Sequence, residues 1–441
     1  MKARLLRTAE DLRTSYWFLP SLMAFTAVLL ASAMIWIDTH VGSGWMDGLP
    51  WLYAARPNGA RQVLSAIGGS MITVAGTVFS VTIASVVFAS GQYGPRLLSN
   101  FMSDRGNQVT LGTFIATFVY CLLVLRTIRS PEESASAAFV PNLALLVAVG
   151  LALCSIAVLI FFIHHVPSKL HINHVIEDVG VRLIDQIDTR FPECLGEPRP
   201  TDGAPPAAPE ARTVITARKT GYLQVIGDET LLHLATRNDL VVRLLHQPGD
   251  FVHVGRVMAQ AWPPERCGQE TTDALAAAFA VGSRRNALQD LRFLIDELVE
   301  IAARALSPGV NDPFTAATCL DWLGAALSDL CRRDLPSPLR EDEAGALRVI
   351  APPVTFEQFI ERSFGALMQY CATDMVAALA FIDVLADVAQ DCTDPTRRAR
   401  ITGYVDQIVV LAEHSLSGFN LAQVRDRARR LRNLTATAAG A

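Results

Sequence analysis

The sequence predicts a mainly α-helical membrane protein with four transmembrane helices and a cytoplasmic α+β region, which holds a small β-barrel-like module and a helical domain. Long apolar runs all lie in the first 163 residues, β-branched segments cluster in residues 213–262, and apolar residues recur with a helical period after residue 273. The predicted domains are a four-helix transmembrane domain (1–166), a helix and Pro-rich linker (167–212), a small β module (213–262) and a helical cytoplasmic domain (273–441).

Four apolar runs are long enough to cross a bilayer, because roughly 20 helical residues at about 1.5 Å each span a hydrocarbon core of about 30 Å. The runs are Trp17–Ile37, Val63–Ser90, Val109–Leu125 and Phe139–Ile163. The first contains a sequence that resembles a signal-peptide cleavage site, Ala31-Ser32-Ala33. Because the run continues beyond it, an uncleaved anchor is predicted.

Basic residues near the ends of these runs predict the orientation of the chain. If the N-terminus lies inside, eight of the twelve flanking Lys and Arg residues are cytoplasmic, whereas the opposite orientation places eight of them outside. Both termini are therefore predicted to be cytoplasmic. The twelve residues are Lys2, Arg4, Arg7, Arg13, Arg56, Arg61, Arg96, Arg105, Arg126, Arg129, Lys169 and Arg182.

Composition argues against several classes of partner and cofactor. The net charge of −5 and the pI of about 6.0 give no basic footprint for nucleic acid. The eight cysteines are scattered and include no C-x-x-C pair, which favours reduced, packed thiols over a disulfide framework or a structural zinc site. No phosphate-binding loop, zinc-protease motif or serine-nucleophile motif is present, so no cofactor and no enzymatic activity are predicted.

The β module is predicted from four strand-like segments, which are Thr213–Thr216, Gly221–Ile226, Leu240–Leu245 and Arg256–Ala261. A tight turn, Gln247–Asp250, lies between the last two. Its spacing P-G-D-x-V-x-x-G is similar to that of barrel-sandwich modules such as biotinyl and lipoyl carriers. Those carriers present a modified lysine on a hairpin, but the one lysine here, Lys219, lies upstream. Only the small barrel shape is expected, without the carrier chemistry.

The helical domain is clearest at Ala287–Leu306, where apolar residues recur every three or four positions. Four charged residues spaced four apart predict an exposed ion-pair ladder on the other face, and they are Arg292, Asp296, Glu300 and Arg304. The helix breaks at Ser307-Pro308-Gly309, and Asp312 is predicted to cap the next helix with Pro313 at its first position. Further helices are predicted near Glu357–Val388, Arg397–Ser415 and Leu421–Leu434.

Several segments together resemble a family of bacterial membrane proteins, domain of unknown function family 2254. The segments are Arg304–Ala316 (RALSPGVNDPFTA), Leu111–Tyr120 (LGTFIATFVY) with Leu125-Arg126-Thr127, Gln92–Leu98 (QYGPRLL) and the pair His164-His165. The resemblance covers nearly the whole chain. It implies four membrane helices, a cytoplasmic domain and the bacterial inner membrane, and it implies no particular reaction.

The second apolar run holds the strongest functional candidates. Ser70, Thr73, Thr77 and Ser80 fall on one helical face and predict either a pore lining, when several copies surround an axis, or a surface for close helix packing. The turn that follows the run is a candidate gate or hinge because it is rich in Gly and Pro. Its candidate residues are Gly91, Gly94, Pro95 and Arg96.

Two other groups are weaker candidates. The first is a ligand-binding or subunit-contact loop, although helix capping alone explains part of it; its residues are Asn311, Asp312, Thr315 and Asp321. The second is a metal site at His171, His174 and Asp178, with interfacial histidines that anchor a helix end as the simpler alternative.

Two functions remain open from the sequence. One is a homo-oligomeric channel or transport protein in contact with the lipid bilayer, with a pore lined by the second membrane helix and a cytoplasmic vestibule or gate. The alternative is a membrane-anchored scaffold or sensor whose cytoplasmic domain binds a partner or ligand.

Overall fold

The computed structural model describes residues 15–40, 56–94, 104–129, 139–190, 197–198, 206–333, 337–352 and 354–439. The chain forms two compact units, one of residues 10–171 and one that contains residues 172–441. We refer to them as the membrane unit and the C-terminal unit.

Four helices among the described residues are long and apolar enough to cross a membrane, so this prediction is confirmed. They are α1 (Phe18–His40), α2 (Pro57–Tyr93), α3 (Arg105–Leu125) and α4 (Asn142–Leu170). Each extends beyond its apolar run at one end or both. Helix α3 starts four residues early because the Asp104 side chain accepts a hydrogen bond from the Asn107 amide at 3.2 Å and caps the helix.

Helix α3 lies at the centre of the membrane unit. Half of its most apolar stretch is buried, whereas only 17% is buried in α1 and in α4, whose apolar surface faces outward. Polar contacts join α3 to α4: the Thr117 and Ser155 hydroxyls lie 3.1 Å apart, and the Tyr120 hydroxyl donates to the Ala144 carbonyl at 3.0 Å. Such contacts hold helices together in lipid, where apolar surface alone gives little preference for one helix over another.

A carboxylate also ties α1 to α4. The two oxygens of Asp38 accept hydrogen bonds from the amides of Leu143 and Ala144, at 3.1 and 2.9 Å. These amides belong to the first turn of α4 and have no partner within the helix. Asp38 therefore acts as a helix cap from more than 100 residues away in the sequence.

The C-terminal unit contains helices and two sheets. Its helices before residue 310 are α5 (Ile172–Arg190), α6 (Asp228–Arg237), α7 (Gln269–Ala277) and α8 (Leu291–Ala305). Those after residue 310 are α9 (Pro313–Cys331), α10 (Phe356–Ile360), α11 (Ala366–Cys371), α12 (Met375–Asp391), α13 (Pro395–Ser415) and α14 (Gly418–Ala439). A π-helical turn, Glu361–Gly365, joins α10 to α11, and Pro264–Arg266 forms a short 3₁₀ turn.

The strands are β1 (Glu197–Pro198), β2 (Thr213–Thr216), β3 (Gly221–Ile226), β4 (Val241–Leu244), β5 (Phe251–Val252), β6 (Val257–Trp262), β7 (Phe279–Gly282), β8 (Leu339–Glu341) and β9 (Leu347–Ile350). Six form a mixed sheet in the order β1-β8-β9-β4-β6-β2, and three form a second sheet in the order β5-β3-β7. Among the described strands, only the β4–β9 pair is parallel. A shared apolar core, which includes Leu223, Val242 and Met258, lies between these strands and α6 and α7.

The sheet region differs from the predicted β module in two respects. The described strands form two sheets, and a closed barrel is not shown among them. Four strands come from outside the predicted module: β1 from the predicted linker, and β7 to β9 from residues after 273, where only helices were expected. These strands have two to four residues each, too few to display a strand period in the sequence.

The predicted helix Glu357–Val388 is interrupted in the structure. It divides into α10, the π turn, α11 and α12, and the last begins where Asp374 accepts a hydrogen bond from the Ala377 amide at 3.0 Å. Helix α9 packs between α5, α8 and α12, and its buried residues Leu320 and Leu323 belong to the helical core.

Candidate functional site

The four predicted pore-lining residues of α2 lie on the face of the helix that the rest of the membrane unit leaves uncovered. At about 100° per residue, Ser70, Thr73, Thr77 and Ser80 fall within an arc of roughly 80°. They are all exposed. The buried residues of α2 lie on the opposite side, and they include Leu64, Met71, Ala75 and Val78. We call these four residues, together with Gly69 and Gly76, the α2 stripe.

Each hydroxyl of the α2 stripe donates its hydrogen to the helix backbone. Ser70 donates to the Ile67 carbonyl at 2.9 Å, and Thr73 donates to the Gly69 carbonyl at 2.9 Å. The other two bonds, from Thr77 and Ser80, run to carbonyls four residues earlier at 3.1 and 2.9 Å. Because the hydrogens are used within the helix, the oxygen lone pairs are what this face presents outward.

Two glycines, which have no side chain, lie beside the hydroxyl groups of the α2 stripe. A Cβ atom added at Gly69 or Gly76 would meet no other atom within 4 Å. The chain from residue 62 to residue 95 contains no charged side chain. The stripe is therefore a neutral, hydroxyl-rich and open surface on an otherwise apolar helix.

The predicted hinge lies partly within α2. Gly91 is inside the helix, and Gly94 ends it with a φ of 118°, while its amide donates to the Ser90 carbonyl at 3.2 Å. That φ is one that residues with side chains rarely adopt. Pro95 and Arg96, the other two predicted hinge residues, lie outside the described residues.

An ionisable pair lies between the beginning of α3 and the end of α4. His165 Nε2 lies 2.8 Å from Asp104 Oδ2, and both side chains are less than one-fifth exposed. The imidazole stacks on the Phe161 ring with centroids 4.8 Å apart. It also lies against Gly106, where an added Cβ would come within 2.5 Å of His165 Nε2.

Sequence reasoning missed this contact, because it uses His165 only as part of the His164-His165 pair that carries the family resemblance. An available signal was Asp104, an acidic residue placed directly before a helix start. Paired ionisable groups inside a helix bundle are uncommon and often functional.

Two of the four predicted contact residues, Asn311 and Asp312, lie in the loop between α8 and α9, and Thr315 lies in the first turn of α9. Asn311 adopts a left-handed conformation with a φ of 51°. Asp312 caps α9, accepting hydrogen bonds from the Thr315 amide at 3.1 Å and the Thr315 hydroxyl at 2.6 Å. These bonds hold the pKa of Asp312 below its usual value. Capping therefore accounts for both side chains, as the simpler interpretation expects.

Asp321 is not part of that arrangement. It lies nine residues beyond Asp312 on α9, which corresponds to about 13 Å along a helix axis. Burial and the nearby Asp387 carboxylate raise the pKa of Asp321. The structure thus brings Asp312 and Thr315 together, and Asp321 lies more than two helical turns beyond Asp312.

The three predicted metal ligands have other neighbours. His171 ends α4 in an extended conformation, His174 Nδ1 lies 3.3 Å from Glu177 Oε2, and Asp178 lies 3.6 Å from the Arg182 guanidinium. Among the described residues, no group of three or more His, Cys, Asp or Glu side chains is arranged to hold a metal ion.

The predicted ion-pair ladder on α8 is wrong for two of its four members. Arg292 and Asp296 are only 16% and 13% exposed, and they form contacts with residues of other segments rather than with each other. The predicted spacing of four residues yields an ion pair only between Glu300 and Arg304, at 3.4 Å. Six residues form the buried arrangement, here called the Asp–Arg cluster: Asp250, Arg285, Asp290, Arg292, Asp296 and Arg362.

The Asp–Arg cluster joins the sheet region to the helices. Arg292 of α8 donates to Asp250 in the turn before β5 at 2.8 Å. Arg362 of the π turn forms a two-pronged contact with Asp296 at 2.6 and 2.8 Å. Arg285, which follows β7, contacts Asp296 and donates to Asp290 at 2.7 Å. Three positive and three negative side chains thus balance one another in a largely buried site.

The carboxylates of this cluster have different proton affinities. Burial raises the pKa of Asp290, which is 1% exposed, even though Arg285 is adjacent. Burial also acts on Asp296, but hydrogen bonds from Arg362 and Arg285 outweigh it and hold the pKa below its usual value. The pKa of Asp250 is lowered in the same way, with burial outweighed by the Gln247 amide and Arg292. Asp250 and Asp296 are therefore anionic partners of the arginines at neutral pH.

Comparison with known proteins identifies one family and several bacterial relatives. A family model described as "Predicted membrane protein (DUF2254)" matches residues 13–387. Two uncharacterised proteins, one of Mycobacterium bovis and one of Mycobacterium tuberculosis, are each 32% identical to the chain over 413 residues. These matches cover 92% of this chain and 78% of each relative. No solved structure is significantly similar to the chain.

Proposed function

We propose that this chain, which belongs to the family of predicted membrane proteins DUF2254, is a homo-oligomeric channel or transport protein of the bacterial inner membrane. In this proposal α2 lines the pore, and the C-terminal unit lies in the cytoplasm as a vestibule or gating domain. The proposal assigns no catalytic reaction to the protein.

The α2 stripe is the observation that carries this proposal. Its four hydroxyls and two glycines lie on the side of α2 opposite its buried residues. A row of polar groups turned toward lipid gains no interaction there, whereas several copies around an axis would turn the same row toward water. The pore requires more than one copy, because one copy leaves this face open.

The chemistry of the stripe favours cations. Each hydroxyl hydrogen is committed to a backbone carbonyl, so a permeating ion would meet oxygen lone pairs. Oxygen atoms arranged around an axis replace part of the water shell of a cation. The absence of charged residues between positions 62 and 95 favours monovalent over divalent cations, because it leaves no carboxylate ring.

Reconstitution of the purified protein in planar bilayers tests the proposal. We expect single-channel currents in potassium and sodium salts whose reversal potentials report cation preference. Bilayers that stay silent across salts and voltages would contradict the channel function.

A matched pair of cysteine variants tests which face lines the pore. Thr73→Cys places a thiol on the stripe, and Ile72→Cys places one about 100° away on a neighbouring apolar position that is 44% exposed. A water-soluble cationic thiol reagent should block current through the Thr73 variant and leave the Ile72 variant unaffected. If Thr73→Cys instead cross-links between copies and resists the reagent, the stripe is a packing surface and the pore lies elsewhere.

A membrane-anchored scaffold or sensor is the second candidate function. Two apolar side chains beside the Asp312 cap favour it, because Val310 is 49% exposed and Phe314 is 71% exposed. Affinity capture with the full-length protein tests this function. Phe314→Glu should lose a stoichiometric partner that Phe419→Glu retains, since Phe419 is 72% exposed on a different helix, α14. Capture that is equal for both variants would contradict a partner site at this loop.

A further inference from the structure

One end of the three-stranded sheet carries an exposed apolar surface. Phe251 of β5 is 59% exposed, and Val254, just beyond the strand, is 61% exposed. Tyr222 of β3 pairs directly with Phe251, and their rings meet edge to face with centroids 5.1 Å apart. We call Tyr222, Phe251 and Val254 the sheet tip.

The sheet tip is held in a fixed shape by the backbone around it. The Val254 amide donates to the Thr220 hydroxyl at 3.2 Å, and the Gly255 amide donates to the Ala217 carbonyl at 2.9 Å. The Ala217 amide in turn donates to the Arg256 carbonyl at 2.8 Å. The two loops that carry the tip are therefore bound to each other, so the apolar side chains are presented together.

Basic residues lie close in the chain to the strands and loops that form the sheet tip. Lys219 and Arg256 lie in the two loops, and Arg284 lies two residues beyond Gly282, the β7 residue that pairs with Tyr222. All three basic residues are exposed. The acidic residue that precedes Phe251, Asp250, accepts a hydrogen bond from the Arg292 guanidinium at 2.8 Å. The tip thus carries positive charge in a protein whose net charge is −5.

We propose that the sheet tip docks on the anionic lipid surface of the membrane in which the same chain is anchored. Aromatic and aliphatic side chains enter the boundary between headgroups and acyl chains, and neighbouring Lys and Arg residues face lipid phosphates. Tethering by the membrane unit keeps a bilayer at high effective concentration. A second copy is a poorer occupant, because a two-fold contact would bring the same positive charges together.

The test uses the full-length protein in nanodiscs, with Val254→Cys labelled by an environment-sensitive fluorophore. Cys154, which is exposed, and Cys194, which lies outside the described residues, are replaced by alanine, and the remaining cysteines are buried. Val310→Cys, also an exposed apolar loop position, is the matched control. Discs contain phosphatidylcholine alone or an equal mixture with phosphatidylglycerol, and a lipid carrying a spin label near its headgroup serves as quencher.

We expect a blue shift and quenching at position 254 in the anionic discs, both reversed by high salt, and neither at position 310. Removing Lys219, Arg256 or Arg284 should lower the equilibrium constant for docking about fivefold for each charge in the anionic discs. Charge-removed variants that keep the wild-type melting temperature show that folding is intact. These results do not depend on whether the protein conducts ions.

Equal emission in both kinds of disc would overturn the proposal. So would a label that is shielded in detergent and in every bilayer and that cross-links to a second copy, because the tip would then be a contact between protein chains.

Discussion

Replacing Gly249 by alanine tests whether the Asp–Arg cluster fastens the sheet region to the helices. Gly249 has a φ of 94°, and its Cα faces Asp290 so closely that an added Cβ would overlap the carboxylate. The substitution should therefore strain the backbone and also push Asp290 away from Arg285. Gly255→Ala is a matched control in the same segment between β4 and β6, because Gly255 has a φ of 84° but open space around it.

The two substitutions differ in expected cost. Backbone strain from a side chain in the left-handed region is about 1–2 kcal/mol and applies to both variants. Displacing Asp290, which is 1% exposed, from Arg285, which is 13% exposed, adds about 3–5 kcal/mol because both charges are buried. The free energy of unfolding should thus fall about 3–5 kcal/mol further in Gly249→Ala than in Gly255→Ala.

Thermal unfolding in detergent measures this difference. Two of the six tryptophans, Trp262 and Trp322, lie in the C-terminal unit, so part of the tryptophan fluorescence reports its unfolding. For a unit of this size the difference corresponds to a melting temperature about 10 °C lower in Gly249→Ala than in the control. Asp290→Ala completes a double-mutant cycle, since without the carboxylate the Gly249 substitution should cost only the backbone strain. Equal melting temperatures for the two glycine variants, or strict additivity in the cycle, would refute the reasoning.

Three further predictions concern packing, acid stability and the membrane unit. Gly180→Ala should destabilise the C-terminal unit by about 1–3 kcal/mol, seen as a lower melting temperature, because an added Cβ would overlap the Trp322 ring. Asp296→Asn should lower the free energy of unfolding by about 2 kcal/mol at neutral pH, a value reduced because one of its arginine partners is more than one-third exposed. Since the pKa of Asp296 is lowered in the folded state, its contribution is present above the unfolded pKa of about 3.9 and disappears as the pH falls through the folded pKa. Urea midpoints of wild type and Asp296→Asn should thus converge in acid, and a constant gap would contradict this. His165→Ala should lower the detergent melting temperature by the equivalent of about 1 kcal/mol through loss of the Asp104 contact, and an unchanged value would show that the contact adds no stability.

Local patterns in the sequence predict the membrane helices and the first strands well. Strands β2 and β3 have the predicted bounds, because β-branched residues and turn residues define each of them within a few positions. The common helix face of the α2 stripe also follows from spacing alone, since residues three or four apart share a helix face. In these cases the determining interactions are close together in the chain.

Contacts between distant segments explain what sequence reasoning missed. The parallel pair β4–β9 joins residues more than 100 positions apart, and β9 has only four residues. On α8, spacing correctly places Arg292 and Asp296 on one face, but it cannot show that Asp250 and Arg362 cover that face. An exposed ladder and a buried cluster have the same spacing along a single helix. They differ only in what the rest of the chain places against it.

The Asp–Arg cluster also limits where the proposed channel could change shape. Separating its arginines from its aspartates would leave buried charges without partners, so the sheet region and the helices of the C-terminal unit should move as one body. The chain passes from the membrane unit to this body at His171, whose extended conformation separates the end of α4 at Leu170 from the start of α5 at Ile172. Few residues are needed for a hinge when both flanking elements are rigid. A gating movement would therefore concentrate at His171 and at the Gly94 end of α2, rather than within the C-terminal unit.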